Sequence, residues 1–245
     1  MKIKIDASMF RDAMKSVSGL VDEMVIHITK DKMDITSMDP ANIAMVVFSM
    51  PSSSAIEWEA SITEKEPVEK VCIKLTDLNK VLKRIAKEDV LNIETIDNQL
   101  NVGISGYKDF TIPLLEIEEK KEQKLPDLTH KAKINLPTSK IADAIEDCGI
   151  AGEAIVFEVE EEKLVLSAND ELRKAAVTLQ GEDVQIVSEG EQKAKFALEY
   201  LRKIVLPKTS KSVEVCLNTD YPLMLKYNAK GYKITFLLAP RVEQN

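Results

Sequence analysis

Apolar residues recur along the first half of the chain in the order strand, helix, strands, written twice. Met1–Ile5 alternates as a strand, and Ser8–Leu20 carries a helical apolar stripe. Strands follow at Val25–Thr29, Met33–Ser37 and Ile43–Met50. A second helix is predicted at Leu75–Lys87, before strands at Val90–Ile96, Gln99–Ile104 and Phe110–Leu115.

The second half repeats this order. At an offset of 131 residues, Lys2–Ile3 recurs as Lys133–Ile134 and Phe10 faces Ile141. Helices are predicted at Ser139–Cys148 and Ala197–Leu206, where Pro207 stops the last one. The sequence therefore predicts an α+β fold of two similar domains, each of two strand–helix–strands units. Antiparallel sheets would cover the outside, with four helices segregated to the inner face.

A charged segment separates the two copies. We expect an N-terminal domain at residues 1–116, a linker at 117–131 and a C-terminal domain at 132–245. The linker is dense in charge, contains Pro126 and lacks an amphipathic period, as a surface crossing does. Leu125 and Leu128 are its apolar exceptions, and they either fix the linker to the body or await a partner.

Composition limits which cellular compartments and which classes of partner are expected for this chain. The 245 residues include 33 Lys and Arg against 41 Asp and Glu, a net charge of −8. That balance alone argues against a generally basic nucleic-acid binder. No apolar run is long enough for a membrane span or a signal core, so we expect the cell interior and no membrane partner. Cys72, Cys148 and Cys216 lack metal-site spacing and are interpreted as small buried hydrophobes.

Enzyme signatures are weak. His27 and His130 have no nucleophile or metal ligand at a useful spacing, and neither a dinucleotide fingerprint nor a P-loop occurs. The acidic run Glu158–Glu162 keeps a metal-dependent hydrolase open as an alternative. We predict no catalytic residue, no metal site and no cofactor.

The distribution of charged residues along the chain changes the interpretation of the net charge of −8. On the second predicted helix, Leu75, Leu78, Leu82 and Ile85 form the apolar stripe, and cations gather on another face. Further cations lie on or just after the other helices. Helix-borne cations suit sequence-independent contact with phosphates. Because Trp58 is the only Trp, stacking on single-stranded bases is disfavoured.

Three segments resemble one known family. They are S-M-D-P-A-N-I-A-M-V at Ser37–Val46, K-L-T-D-L-N-K-V-L-K at Lys74–Lys83 and L-L-A-P-R-V at Leu237–Val242. In this order and spacing they are similar to the proliferating cell nuclear antigen (PCNA) family, the DNA sliding clamps of archaea and eukaryotes. The match runs the whole length, and the chain is most similar to archaeal members.

The resemblance implies a ring of three copies around duplex DNA. Such a clamp tethers DNA polymerase and gives it processivity, and no enzymatic activity is expected of it. It would also bind the clamp loader, flap endonuclease and DNA ligase through short docking peptides. The expected location is the cytoplasm of an archaeal cell, on DNA, or the nucleus of a eukaryotic one.

The resemblance also assigns residues. The DNA-facing set is Arg11, Lys15, Lys80, Lys83, Arg84, Lys87, Lys140, Arg202, Lys203 and Lys208. The partner-peptide pocket is Met38, Asn42, Ile43, Met45, Leu125, Pro126, Asp127, Tyr221, Pro222, Ala239, Pro240, Arg241 and Val242. Subunits would pair the Tyr107–Pro113 strand with the Lys174–Leu179 strand of a neighbour, through Tyr107, Phe110, Ile112, Ala175, Val177 and Leu179.

One helix departs from the family pattern. Asp143 and Glu146 stand where relatives often carry cations, which leaves Lys140 as the only cation of the third helix. A mixed ring, in which other chains supply the missing charge, and a checkpoint-type clamp subunit therefore stay open beside the homotrimer. We expect the Leu75–Lys87 helix to dominate contact with DNA.

Overall fold

The computed structural model describes residues 1–116, 123 and 125–241, and these form two compact units. The first unit comprises Met1–Pro40, Val46–Leu125 and Lys230–Lys233. The second comprises Ala41–Met45, Pro126–Ala229 and the chain from Ile234 onward. Each unit contains two of the four helices.

Two helices and nine strands come from the first half of the chain. In order they are β1 (Lys2–Asp6), α1 (Ala7–Val17), β2 (Glu23–Ile28), β3 (Lys32–Met38), β4 (Ala44–Pro51), β5 (Glu57–Glu59), β6 (Glu69–Lys74), α2 (Leu75–Leu82), β7 (Val90–Ile96), β8 (Gln99–Ile104) and β9 (Lys108–Pro113). Five of these strands form a sheet in the order β5-β1-β7-β8-β9, and the other four are neighbours in the order β4-β3-β2-β6 within a larger sheet. The two helices pack side by side.

The second half repeats this order. Its elements are β10 (Ala132–Pro137), α3 (Thr138–Cys148), β11 (Ala154–Glu160), β12 (Lys163–Asn169), β13 (Lys174–Leu179), β14 (Gln185–Ser188), β15 (Gln192–Ala197), α4 (Leu198–Ile204), β16 (Ser212–Leu217), β17 (Leu223–Ala229) and β18 (Tyr232–Leu238). Strands run β14-β10-β16-β17-β18 in one sheet and β13-β12-β11-β15 in the other. Each strand thus has the sheet position of its counterpart in the first half, which confirms the predicted α+β repeat.

The predicted helices are present, but some of their ends differ. Helices α1 and α3 are offset by the same 131 residues as the sequence repeat. Helix α2 ends at Leu82 and not at Lys87, so the prediction was wrong over its last five residues. The apolar stripe ends there too, because Leu75, Leu78 and Leu82 are buried whereas Ile85 is half-exposed. Strands β5 and β6 were not predicted. Strand β5 is short and lies among charged residues.

The cores are aliphatic with a few phenylalanines at their centres. Ile3, Ile28 and Phe48 are fully buried in the first unit. In the second unit, Phe157 and Phe196 meet edge to face with centroids 5.5 Å apart. No helix within the described ranges is both long and apolar enough to cross a lipid bilayer.

Tyr227 is the largest fully buried side chain of the second unit. Its hydroxyl donates to the Ile204 carbonyl at the end of α4, at 2.9 Å, and accepts from the Leu206 N–H at 3.4 Å. Burial raises the pKa of the Tyr227 phenol. This hydroxyl therefore satisfies backbone groups that α4 leaves unpaired where it ends.

We predict that Tyr227→Phe lowers the free energy of unfolding by about 1–2 kcal/mol, because it orphans these buried groups. The measurement is chemical denaturation followed by circular dichroism. Tyr221→Phe is the matched control, since the Tyr221 ring contacts His130 but its hydroxyl has no hydrogen bond among the described residues. Equal stability of the wild-type chain and Tyr227→Phe would contradict the assignment.

Candidate functional site

Helix α2 starts at a contact from a distant loop. The Asp22 carboxylate accepts the Thr76 N–H at 2.8 Å and also the Thr76 hydroxyl, and its carbonyl accepts the Leu75 N–H at 2.6 Å. These bonds, led by the Thr76 hydroxyl, lower the pKa of Asp22. Asp22 therefore caps α2 from outside the helix, a contact that local sequence does not reveal.

The residues after α2 form a compact turn rich in cations, Lys83–Lys87, called the basic turn below. The Lys83 N–H donates to the Asn79 carbonyl at 3.0 Å, and the Arg84 N–H donates to the Val81 carbonyl at 2.8 Å. Lys83, Arg84 and Lys87 are all exposed. Three predicted DNA-facing cations thus stand on a turn and not on the helix itself.

The predicted DNA-facing cations of the first unit differ in whether an acid neutralises them. Arg11 pairs with Asp12 at 3.1 Å, and Lys80 pairs with Asp77 at 2.8 Å. The others form no ion pair among the described residues, and they are Lys15, Lys83, Arg84 and Lys87. Among the predicted DNA-facing cations of this unit, the unpaired charge therefore lies at the basic turn and at Lys15 on α1.

Cations on the helices of the second unit are mostly neutralised. Lys140 pairs with Asp183 at 2.7 Å, and Lys203 pairs with Glu199 at 2.5 Å. The Arg202 guanidinium binds both carboxylate oxygens of Glu146, with its closest contact at 2.6 Å. Of the predicted cations here, Lys208 alone has no ion pair among the described residues.

The Arg202–Glu146 contact is the strongest of these pairs in geometry, because a planar guanidinium matches a carboxylate in two places. Arg202 lowers the pKa of Glu146, and Glu146 raises the pKa of Arg202. Exposed pairs contribute at most about 1 kcal/mol each, so phosphate groups can compete with them. The acids nevertheless reduce the positive potential of this unit.

Strands β9 and β13 each terminate a sheet. Phe110 on β9 and Ala175 and Val177 on β13 are half-exposed, and Tyr107 in the turn before β9 is 60% exposed. Ile112 and Leu179 are buried within their own units. An edge strand that presents apolar side chains and unpaired backbone groups is suited to pairing with another strand.

The turn that leads into β13 is held by one carboxylate. Asp170 accepts the N–H groups of Leu172 at 2.9 Å and Arg173 at 2.6 Å, and the Arg173 Nε at 2.8 Å. These bonds, led by the Arg173 side chain, lower the pKa of Asp170 to about 2. Leu172 is left 95% exposed beside the edge strand, a feature that the sequence pattern did not single out.

Most residues of the predicted partner-peptide pocket belong to the second unit. The Ala239 N–H donates to the Ile43 carbonyl at 2.9 Å, which joins two of them. His130 contacts the Pro222 carbonyl through Nε2 at 2.9 Å and meets the Tyr221 ring edge-on at 5.6 Å. His130 therefore contacts two predicted pocket residues, Tyr221 and Pro222, and helps to hold them in place.

The end of the linker is tied to the same unit. The Asn218 amide donates to the Thr129 carbonyl at 2.8 Å and accepts the Lys131 N–H. The Arg241 N–H donates to the Lys195 carbonyl at 2.6 Å, which fixes the last described residue. These contacts position the end of the linker and Arg241, which is itself a predicted pocket residue.

The remaining pocket residues vary in exposure. Asn42, Pro126, Asp127 and Ala239 are exposed, Pro240 is half-exposed, and Met45 is buried. Met38 and Leu125 fall in the first unit, where Met38 is half-exposed and Leu125 is 43% exposed. Val242 lies outside the described residues.

A cavity of about 1170 Å³ in the second unit was not predicted. Its lining includes Ile150, Glu153, Arg173, Arg202 and Arg241, and Arg241 is the one predicted pocket residue among its walls. Arg173 and Arg202 are held there by Asp170 and Glu146. The cavity is formed by residues far apart in sequence, so no local pattern signals it.

Acidic residues of the Glu158–Glu162 hairpin take part in ion pairs. Glu158 pairs with Lys193 at 2.9 Å, and Glu160 pairs with Lys163 at 2.8 Å. Within the described ranges no group of three or more His, Cys, Asp or Glu residues is placed to hold a metal ion. Cys148 and Cys216 are buried as expected, whereas Cys72 is half-exposed.

Comparison with known proteins finds full-length relatives. The chain is 32% identical to DNA polymerase sliding clamp 3 of Sulfurisphaera tokodaii, over 99% of this chain and 100% of that one. This chain belongs to the DNA polymerase sliding clamp (PCNA) family. The Thermococcus gammatolerans clamp is 30% identical over 97% of this chain and 96% of its own. A family model described as the PCNA C-terminal domain matches residues 124–242.

Solved clamp structures share the fold. A PCNA2–PCNA3 complex from Sulfolobus tokodaii contains a chain that is 29% identical, with a TM-score of 0.86, covering 99% of this chain and 100% of that one. The A. fulgidus PCNA bound to the C-terminal region of FEN-1 gives a TM-score of 0.89 at 21% identity, covering 100% and 99%. The clamp fold is therefore shown for the whole length.

We predict that Asp170 titrates at about pH 2 in the folded chain. Because its pKa is lowered on folding, its stabilisation is complete above the ordinary value of 3.8 and disappears as the pH falls towards 2. Carboxyl chemical shifts measured by NMR against pH report this titration. Arg173→Gln should raise the pKa of Asp170 towards 3.8, whereas the control Lys174→Gln should leave it near 2. An unchanged pKa in Arg173→Gln would refute the contact.

Proposed function

We propose that this chain works inside the cell as a DNA sliding clamp, in which three copies close around duplex DNA and tether the replicative polymerase. The unpaired cations of the basic turn are the observation that carries this proposal. They lie on a hydrogen-bonded turn. Contact with phosphates that is independent of sequence needs cations of this kind and no group that reads the bases. The role proposed is non-enzymatic.

The net charge of −8 fits this role when its distribution is considered. The hairpins carry acids such as Glu158 and Glu160, and these favour solubility over nonspecific binding. The basic turn provides local attraction for phosphates. A clamp that slides must hold DNA weakly and at many equivalent places, and a few exposed cations supply that kind of contact.

Ring closure is supported by the two sheet edges. Strand β9 of one copy would pair with β13 of the next, so that each copy uses one edge of each kind. Such a head-to-tail contact closes into a ring when the rotation between copies permits it. Pairing would satisfy the backbone N–H and C=O groups of the edge strands. Left unpaired, these groups favour aggregation with other chains.

Docking of other proteins is supported by the segments that meet in the second unit. The Ile43–Ala239 backbone contact and the Tyr221–Pro222 segment lie where the family resemblance assigns a peptide pocket. The FEN-1 segment on A. fulgidus PCNA supports a flap endonuclease as one partner. The polymerase, the clamp loader and DNA ligase complete the proposed set.

A mixed ring is the second candidate, and one observation favours it. Lys140, Arg202 and Lys203 of the second unit are paired with acids, which would leave this part of a homotrimer poor in free cations. The PCNA2–PCNA3 complex shows that clamp chains of different sequence associate in one relative. The solution mass of the purified chain distinguishes the two candidates. A mass near three times 27.4 kDa favours the homotrimer, and a monomer or dimer favours the mixed ring.

The experiment reverses charge in the basic turn. We predict that the variant Lys83→Glu, Arg84→Glu, Lys87→Glu abolishes stimulation of polymerase on primed DNA, because three phosphate contacts per copy become repulsive. Its light-scattering mass should equal that of the wild-type chain, since none of these side chains lies on β9 or β13.

The matched variant is Lys140→Glu, Arg202→Glu, Lys203→Glu, which changes charge by the same amount in the second unit. Its stimulation should fall less, because these cations are already paired with acids. Equal losses in the two variants would contradict dominance of the basic turn. Undiminished stimulation in the first variant would contradict the proposed function.

A further inference from the structure

Asp89 is one of the few buried acids of the first unit. It follows the basic turn and is 7% exposed. A carboxylate in such a position must be compensated by donors, and its partners come from two different elements. The resemblance to sliding clamps assigned no role to this residue.

The first set of contacts holds the basic turn. The Ala86 N–H donates to the Asp89 carboxylate at 2.6 Å, and the Asp89 N–H donates back to the Ala86 carbonyl at 3.3 Å. The Asp89 carbonyl accepts the N–H of Ala7, the first residue of α1, at 3.1 Å. Asp89 therefore fixes the end of the basic turn against the start of α1.

The second set holds the turn before β9. Asp89 Oδ1 accepts the Ser105 hydroxyl at 2.8 Å and the Tyr107 hydroxyl at 3.3 Å. Ser105 has a φ of 48°, which costs energy for a residue with a Cβ, and Gly106 follows with a φ of 75°. The carboxylate thus stabilises the turn 105–107, which contains one strained residue and leads directly into the edge strand.

A further hydrogen bond joins β9 to the basic turn. Lys108 Nζ, on the first residue of β9, donates to the Arg84 carbonyl in the basic turn at 3.3 Å. The edge strand and the basic turn are therefore joined at two points. The bonds from Ala86 and Ser105 also lower the pKa of Asp89, so the carboxylate remains ionised at neutral pH.

We propose that Asp89 is a positioning residue that holds the basic turn against the β9 turn, so that one carboxylate sets the DNA contact relative to the subunit edge. This inference rests on the proposed clamp function. Asp89 itself contacts no DNA in this account. Its effect on DNA is indirect, through the placement of Lys83, Arg84 and Lys87.

The direction in which Asp89→Asn changes the affinity for DNA distinguishes a positioning role from a purely electrostatic one. Asp89→Asn removes a negative charge near the basic turn, and Coulomb attraction alone would then strengthen binding to DNA. Positioning predicts the opposite, because an amide cannot satisfy the same three donors. We expect affinity of the assembled clamp for duplex DNA to fall about three- to tenfold, given the strength of charge-assisted hydrogen bonds.

Ser105→Gly tests the same contact with less risk to folding, because glycine adopts the positive φ without strain. It removes the hydroxyl that donates to Asp89 and that accepts the Val90 N–H at 3.1 Å, and it changes no charge. We expect a fall in DNA affinity of about threefold. The double variant with Asp89→Asn should lose less than the sum of the two single losses, since both changes break the Ser105–Asp89 contact.

Asp97→Asn is the charge-matched control. Asp97 is exposed in the β7–β8 turn at a φ of 53°, which asparagine tolerates, and it has no partner among the described residues. Its affinity for DNA should not fall. Affinity is measured by fluorescence anisotropy at low salt, at concentrations where light scattering gives every variant the mass of the wild-type assembly.

The outcomes separate the two proposals. A wild-type clamp that does not bind duplex DNA would refute the proposed function. A wild-type clamp that binds, with Asp89→Asn equal or tighter, would refute the positioning role alone. Full additivity of Asp89→Asn and Ser105→Gly would also refute it, because the two residues would then act separately. Reduced and non-additive affinities support it.

Discussion

Unpaired backbone at the edges of β9 and β13 is the constraint on which the proposed assembly depends. The order of the strands leaves these two edges without a neighbour. Open edges with apolar side chains favour aggregation unless a specific partner covers them. Pairing between copies covers both edges at once and gives a reason for a closed ring.

The electrostatic features follow from the same arrangement. The turn before β9 is fixed to the basic turn through Asp89, so the edge that would meet a neighbour and the cations that would meet DNA share one support. In the second unit the corresponding helices carry paired cations, as in Arg202–Glu146. The two halves thus share a fold and differ in how many of their predicted DNA-facing cations are paired with acids. For this reason we propose the first unit as the principal candidate for DNA contact.

Sequence periodicity predicted the repeat because local apolar spacing determines both helices of each unit. It overestimated α2, since the cations of the basic turn have helical spacing whereas the chain already turns after Leu82. Asp22, Asp89 and Asp170 were not predicted as structural residues, because their partners are set by turns or lie far along the chain. The assigned DNA-facing, pocket and interface residues stay predictions.

Hydrogen exchange measured against protein concentration tests the central claim most directly, because edge pairing protects particular amides. The account predicts that β9 (Lys108–Pro113) and β13 (Lys174–Leu179) gain protection together as the chain assembles. The end strands β5 (Glu57–Glu59) and β14 (Gln185–Ser188) should exchange at the same rate throughout. Assembly without protection of β9 and β13, or with protection of β5 and β14 in their place, would contradict the account.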